Sequence, residues 1–190
     1  MSTSTALITA EEFMQLPDED GFRHELINGE VIRMPSPQFP HSRAASRLLI
    51  HLAQFVMEHE LGEVFGEIGF KLTLNPDTVL APDIAFIAKE RLDAAGDTEG
   101  YWLGPPDLAV EVLSPSDRPS KVHKRIDSLF GYGVKQLWVV NPRKRSATIY
   151  RSPSDSITFS GSDDLEADDI LPGFRLSLDR IFGPTPGISK

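Results

Sequence analysis

The sequence predicts a single α/β domain, a mixed sheet flanked by helices with a β-hairpin near the N-terminus, and three stretches carry that reading. His24-Glu25-Leu26-Ile27-Asn28-Gly29-Glu30-Val31-Ile32 has two strand-like halves around Asn-Gly, the strongest short hairpin signal because both turn residues take positive φ. Ala45, Leu48, Leu49, Leu52 and Val56 recur with the 3.6-residue period of an amphipathic helix. Leu108-Ala109-Val110-Glu111-Val112-Leu113 hardly alternates, as expected of a central strand buried on both faces.

Taken in order, Thr9 before Ala10-Glu11-Glu12-Phe13 is an N-cap with acids in the first turn, predicting a short helix that stops near Pro17. The hairpin follows, with Glu25 on its first strand. Pro35, Pro37 and Pro40 then impose an extended segment, and the long helix begins around His41 or Ser42 and is ended by Gly62. Two strands are predicted next, from Glu63 to Leu72 and from Val79 to Ile87, joined through Asn75-Pro76-Asp77. The stretch from Lys89 to Pro106 is polar and Gly/Pro-rich and reads as a surface connection. After the central strand, Ser114-Pro115-Ser116-Asp117 caps a helix reaching Gly131 or Gly133, with Val122, Ile126, Leu129 and Phe130 on its core face. Val134 to Val140 is a strand, Asn141-Pro142-Arg143-Lys144 a turn, and Ala147 to Tyr150 the antiparallel return. Leu171 to Leu178 reads as a late edge strand. The domain spans 1–183, and 184–190 reads as a loose tail.

Composition narrows the function classes. At 190 residues and 40% hydrophobic content the chain is ordinary for one soluble domain with a proper core. There are no cysteines, which excludes disulfides, thiolate metal sites and a cysteine nucleophile and suits a cytoplasmic setting. The first residues have no basic or apolar leader pattern, and no run approaches the ~18 apolar residues of a membrane span. A net charge of −9 argues against tight non-specific DNA binding.

The chemistry lies between Pro82 and Lys124. Asp83 and Glu111 both sit inside apolar, strand-like runs, where an ionised carboxylate costs several kcal/mol unless paired or metal-bound, so a cation is expected nearby. If the two strands are neighbours, the acids converge at one end of the sheet. Two carboxylates, a backbone carbonyl such as that of Val112, and water suit Mg²⁺ or Mn²⁺, and the absence of Cys and of paired histidines argues against zinc. Glu25 either adds a third carboxylate or holds a metal-bound water, or else is an exposed strand acid or a partner for Arg23. On the following helix Lys121 and Arg125 share one flank, and Lys124 points away from the apolar stripe. On the earlier helix Arg43, Arg47 and His51 form a basic stripe that could touch phosphate, with a solvated face as the plainer reading. His41, at the start of that helix, joins the candidates.

These residues resemble the Uma-type restriction-endonuclease-like proteins of bacteria, within the PD-(D/E)xK nuclease superfamily. The resemblance rests on His24 to Glu30, Ala81-Pro82-Asp83-Ile84-Ala85-Phe86, Val110-Glu111-Val112-Leu113-Ser114-Pro115-Ser116, Gly133-Val134 through Leu137-Trp138-Val139-Val140-Asn141-Pro142, and Leu171-Pro172-Gly173-Phe174. It implies a restriction-endonuclease-like fold, Mg²⁺- or Mn²⁺-dependent hydrolysis of DNA phosphodiesters, Asp83 and Glu111 as metal ligands with Val112, and Glu25 as the acid of the N-terminal part. The family's lysine aligns with Arg125, so Lys121 is the expected water-activating amine, with Lys124 as its alternative. Competing readings are a catalytically impaired binding module that keeps the fold, and a metal-free glycosidase using the two acids. The scarcity of aromatic residues, with two Trp and three Tyr, weighs against the last. A homodimer would place two sites on two strands.

Overall fold

The computed structural model describes residues 7–96 and 98–183, so the predicted tail at 184–190 lies outside the described residues. Helix α1 (Ala10–Met14) opens with a capping box: the Thr9 hydroxyl accepts from the Glu12 N–H, and Glu12 returns a carboxylate to the Thr9 N–H. Strands β1 (Phe22–Ile27) and β2 (Glu30–Pro35) pair antiparallel around Asn28-Gly29, at φ 51° and 78°, as the Asn-Gly signal requires. Helix α2 (Phe39–Glu58) starts two residues earlier than expected, because Pro40 fits the first turn, where its missing N–H leaves nothing unsatisfied.

The two strands expected between Glu63 and Ile87 are four. β3 (Gly62–Gly66) and β6 (Ile84–Ala88) belong to one sheet, β4 (Phe70–Thr73) and β5 (Thr78–Leu80) to another. The break between β5 and β6 falls at Ala81-Pro82-Asp83, where Pro82 has no N–H for a ladder and the Ala81 N–H goes to Glu25 Oε1 at 2.9 Å. The chain crosses there from one sheet to the other. The predicted surface connection from Lys89 to Pro106 holds helix α3 (Lys89–Ala95) and β7 (Trp102–Leu103). Lys-Glu-Arg-Leu-Asp-Ala-Ala is a run of residues mostly favourable to helix that the flanking glycines and prolines obscured.

Then come β8 (Leu108–Val112), α4 (Pro119–Gly131), β9 (Gln136–Asn141), β10 (Ser146–Ser152), β11 (Asp155–Ser160), β12 (Asp164–Glu166), β13 (Arg175–Ser177) and α5 (Leu178–Phe182). Asp117 does not cap α4; its carboxylate takes the Ser114 N–H at 2.7 Å, tightening the turn out of β8. The late edge strand is confined to β13, and β11 and β12 were not legible in their Ser/Asp-rich sequence.

The larger sheet has the order β11-β10-β9-β8-β6-β3, with β8 and β9 parallel and its other pairs antiparallel. The smaller sheet is β2-β1-β5-β4-β7, and β12 pairs with β13. On one face of the larger sheet Ile84, Phe86, Val110, Val112, Trp138 and Val140 pack with the α2 stripe of Ala44, Leu48, Leu52 and Val56. The opposite face, with Ala109, Leu137 and Val139, receives Ile126 and Leu129 of α4. β8 is therefore covered on both sides, as its non-alternating sequence predicted. Glu111 shares the α4 side with Ala109 by the two-residue period.

Candidate active site

Strand pairing brings the two acids together. In the antiparallel ladder Ile84 is opposite Val110, so Asp83, one residue before β6, meets the end of β8 at Glu111 and Val112. The Val112 N–H donates to Asp83 Oδ2 at 2.7 Å. His41 Nε2 lies 3.1 Å from the same oxygen, and Arg23 Nη1 donates to Oδ1 at 3.0 Å. Burial alone would push the Asp83 carboxyl up, but His41, the Val112 N–H and Arg23 together hold it below the ordinary carboxylate value.

The second acid answers to a different cation. Arg125 Nε donates to Glu111 Oε1 at 2.9 Å, while its Nη1 and Nη2 reach Glu25 Oε2 and Oε1 at 3.0 and 2.7 Å. This is a forked arginine–carboxylate contact with a third bond to another acid. Burial pushes Glu111 up, Arg125 pulls it back, and the charges of Asp83 and Glu25 push it up again, leaving it at about 7. Burial lowers the affinity of Arg125 for its proton, but Glu111 and Glu25 outweigh that and bind the proton more firmly still.

Several expectations change on this geometry. Glu25 is neither exposed nor paired with Arg23: it is 3% exposed, and its oxygens are taken by Arg125 and the Ala81 N–H. Lys121, expected to be the amine at the acids, is exposed and makes no ion pair among the described residues. It shares a flank with Arg125, yet it lies one turn nearer the helix start, and Arg125 is the residue abreast of Glu111. Lys124 faces solvent as the wheel predicted. His41 reaches the site because the first turn of α2 abuts the start of β6.

Of the basic stripe on α2, Arg47 donates to the Ile181 carbonyl at 3.5 Å and faces the C-terminal helix rather than open solvent, while Arg43 is exposed. Arg23 was missed as a site residue, although the two-residue period puts it on the same face of β1 as Glu25. It bridges Asp83 to Glu67, whose Oε1 is 2.9 Å from Nη1. Its signal was that alternation, which says nothing of which acid crosses from the other sheet.

Asp83 and Glu111 are hard oxygen donors on adjoining strands, which suits Mg²⁺ or Mn²⁺ in kind. Among the described residues no three His, Cys, Asp or Glu side chains form a group able to enclose a metal ion. Glu25 is turned to Arg125, so the expected third carboxylate is lacking. Negative charge is nevertheless in surplus, since Glu25, Asp83 and Glu111 face Arg125 and an Arg23 shared with Glu67. The donor set fits a hydrated divalent ion resting on two carboxylates, not a closed protein cage.

The fold is that of a nuclease-like protein. The chain superposes on the crystal structure of a putative nuclease belonging to DUF820 from Anabaena variabilis with a TM-score of 0.77 and 26% identity, over 92% of this chain and 97% of that one. It belongs to the Uma2 family, described as "Putative restriction endonuclease", whose model matches residues 10–179. No curated protein matches it significantly. Among the described residues no helix is long and apolar enough to cross a membrane.

Proposed function

We propose that this chain is a divalent-metal-dependent endonuclease that hydrolyses DNA phosphodiester bonds at the end of β8. The observation that carries the proposal is the meeting of Asp83 and Glu111 across the β6–β8 pair, with the Val112 N–H fixing Asp83 at 2.7 Å. Asp83 and Glu111 would hold the ion, with the Val112 carbonyl beside them. A Mg²⁺ or Mn²⁺ ion there supplies a water acidic enough to act near neutral pH and shares the negative charge of the transition state.

The chain's own residues do the rest. His41 and Arg23 hold Asp83 ionised and oriented. Glu25 fixes Arg125, and Arg125 in turn positions Glu111. Arginine stays protonated, so Arg125 cannot accept a proton from water; its contribution is electrostatic, a fixed positive charge beside a dianionic phosphorane. Plasmid cleavage with Mg²⁺ or Mn²⁺ tests the proposal. We expect nicking that EDTA abolishes and that falls at least ~100-fold in Asp83→Ala and Glu111→Gln, the order seen on removing one charge-stabilising group. Cleavage surviving Asp83→Ala would remove Asp83 from the mechanism.

A second reading, a nuclease-fold binding module without catalysis, is favoured by one observation: Arg125 already pairs with both Glu111 and Glu25, and among the described residues no lysine pairs with the acids. Isothermal titration with Mn²⁺ separates the two. Binding heat that Glu111→Gln abolishes supports the metalloenzyme, and no heat supports the module.

A further inference from the structure

Cations over most of the surface are tied to acids. Lys71 spans Glu11 and Asp77, Lys89 pairs with Asp93, Arg91 and Lys135 with Asp107, Arg151 with Asp169 and Arg175 with Glu166. Apart from Arg47, which bonds the Ile181 carbonyl, and Arg180, the described arginines and lysines without an ion pair are Arg43, Arg118, Lys121, Lys124, Arg143 and Lys144. All six are exposed.

The topology gathers them. β8 and β9 run parallel and end together, the Leu113 N–H donating to the Val140 carbonyl at 2.8 Å. From that common end the chain leaves β8 through Arg118 into α4, which carries Lys121 and Lys124, and leaves β9 into the turn bearing Arg143 and Lys144. The start of α2 stands at the same end, since His41 touches Asp83 and Arg43 lines a small cavity with Pro142. These six cations thus rim the end of the sheet that holds Asp83 and Glu111, while Arg180, also exposed, lies beside His51 further along α2.

Like charges crowded on a rim repel one another and add nothing to the fold. Clustering them in a chain of net charge −9, whose acids gather in 11–20 and 155–169, is explained by an external polyanion. Resting on the reading of the acids as a phosphodiester site, we propose that this rim is the track for the sugar–phosphate backbone of duplex DNA, held through phosphates and without base reading. Phosphates bound on the rim would present a neighbouring one to Asp83 and Glu111. A single strand is disfavoured because its binding needs a row of rings for stacking, and at this end Phe39 is the one strongly exposed aromatic among the described residues.

Fluorescence anisotropy with a labelled duplex of arbitrary sequence, in EDTA and over a range of NaCl, tests the track. Wild type should bind with an affinity that falls steeply with salt. Lys121→Glu/Lys124→Glu and, separately, Arg143→Glu/Lys144→Glu should each weaken binding at least ~10-fold, and each should flatten the log–log salt slope by about 2, close to one for each phosphate no longer neutralised. Arg151→Glu/Arg175→Glu changes the net charge equally, away from the rim, and should weaken binding less than ~3-fold. Equal weakening by that control, salt-independent binding by wild type, or a preference for single strands untouched by the rim variants would each overturn the track.

Thermal melts check folding, and the two rim pairs lie on separate segments, so either alone carries the test. Rim-dependent binding without cleavage in Mg²⁺ or Mn²⁺ sinks the catalytic proposal and leaves the track standing. Cleavage that survives both rim pairs unweakened does the reverse.

Discussion

Arg125 decides the character of the site at the scale of single residues. Its three nitrogens meet three oxygens of two acids, a task that a planar fork performs and an ammonium cannot. Removing it leaves Glu25, which is 3% exposed, and Glu111 facing each other without a counter-charge. Breaking such a pair from one side costs about 3–5 kcal/mol where it is buried. Arg125→Ala should approach that loss at pH 7, and Arg125→Lys should recover part of it, because one point charge satisfies one acid at a time. Urea denaturation of the two variants would give the order, and Arg125→Ala as stable as wild type would contradict it. Glu25 changes role at the same scale. The sequence could show an acid on a hairpin strand, but whether it faced water, a metal or a guanidinium depended on a helix 100 residues away.

Asp107 does for the elements what Arg125 does for the acids, at the opposite end of β8. It is 1% exposed, accepts the Ala88 N–H where β6 passes into α3, and pairs with Arg91 of α3 and with Lys135 just before β9. Burial pushes its carboxyl up, but the Ala88 N–H, Lys135 and Arg91 outweigh that and hold it below the ordinary aspartate value. A carboxyl lowered in the folded state contributes stability that is present above its unfolded value, near 3.9, and lost as the pH falls through the folded one. Asp107→Asn should therefore destabilise by about 1–3 kcal/mol at pH 7, the usual cost of removing a charged hydrogen bond. The gap from wild type should close as the pH is lowered below about 4. Denaturation curves at pH 7 and pH 3 measure both, and a gap that widens in acid would refute the assignment. β8 is thus clamped by acids at both ends, but Asp107 is neutralised by three donors to structural effect, whereas Asp83 and Glu111 keep a surplus of negative charge.

For the whole molecule, that surplus predicts coupling between metal and stability. A ligand that binds only the folded chain stabilises it by RT ln(1 + [L]/Kd), about 1.4 kcal/mol at ten times Kd, or roughly 3–5 °C in Tm for a chain of this size. Saturating Mn²⁺ should raise Tm by that order in wild type and not in Glu111→Gln, as calorimetric melts would show; an unchanged wild-type Tm would count against a metal on these acids. The sequence by itself determined the α/β class, the hairpin at Asn28-Gly29, the central burial of β8 and the two acids, because turn geometry, hydrophobic period and the cost of a charge among apolar neighbours all act within a few residues. It did not determine the division of Val79 to Ile87 between two sheets, the helix within 89–106, or the partners of Glu25, Asp83 and Glu111. Those were decided by tertiary structure, since a side-chain ion pair is fixed by which strands and helices pack together. Lys121 and Arg125 share a flank on any helical wheel, and only the packing of α4 against β8 put the guanidinium, not the amine, beside Glu111.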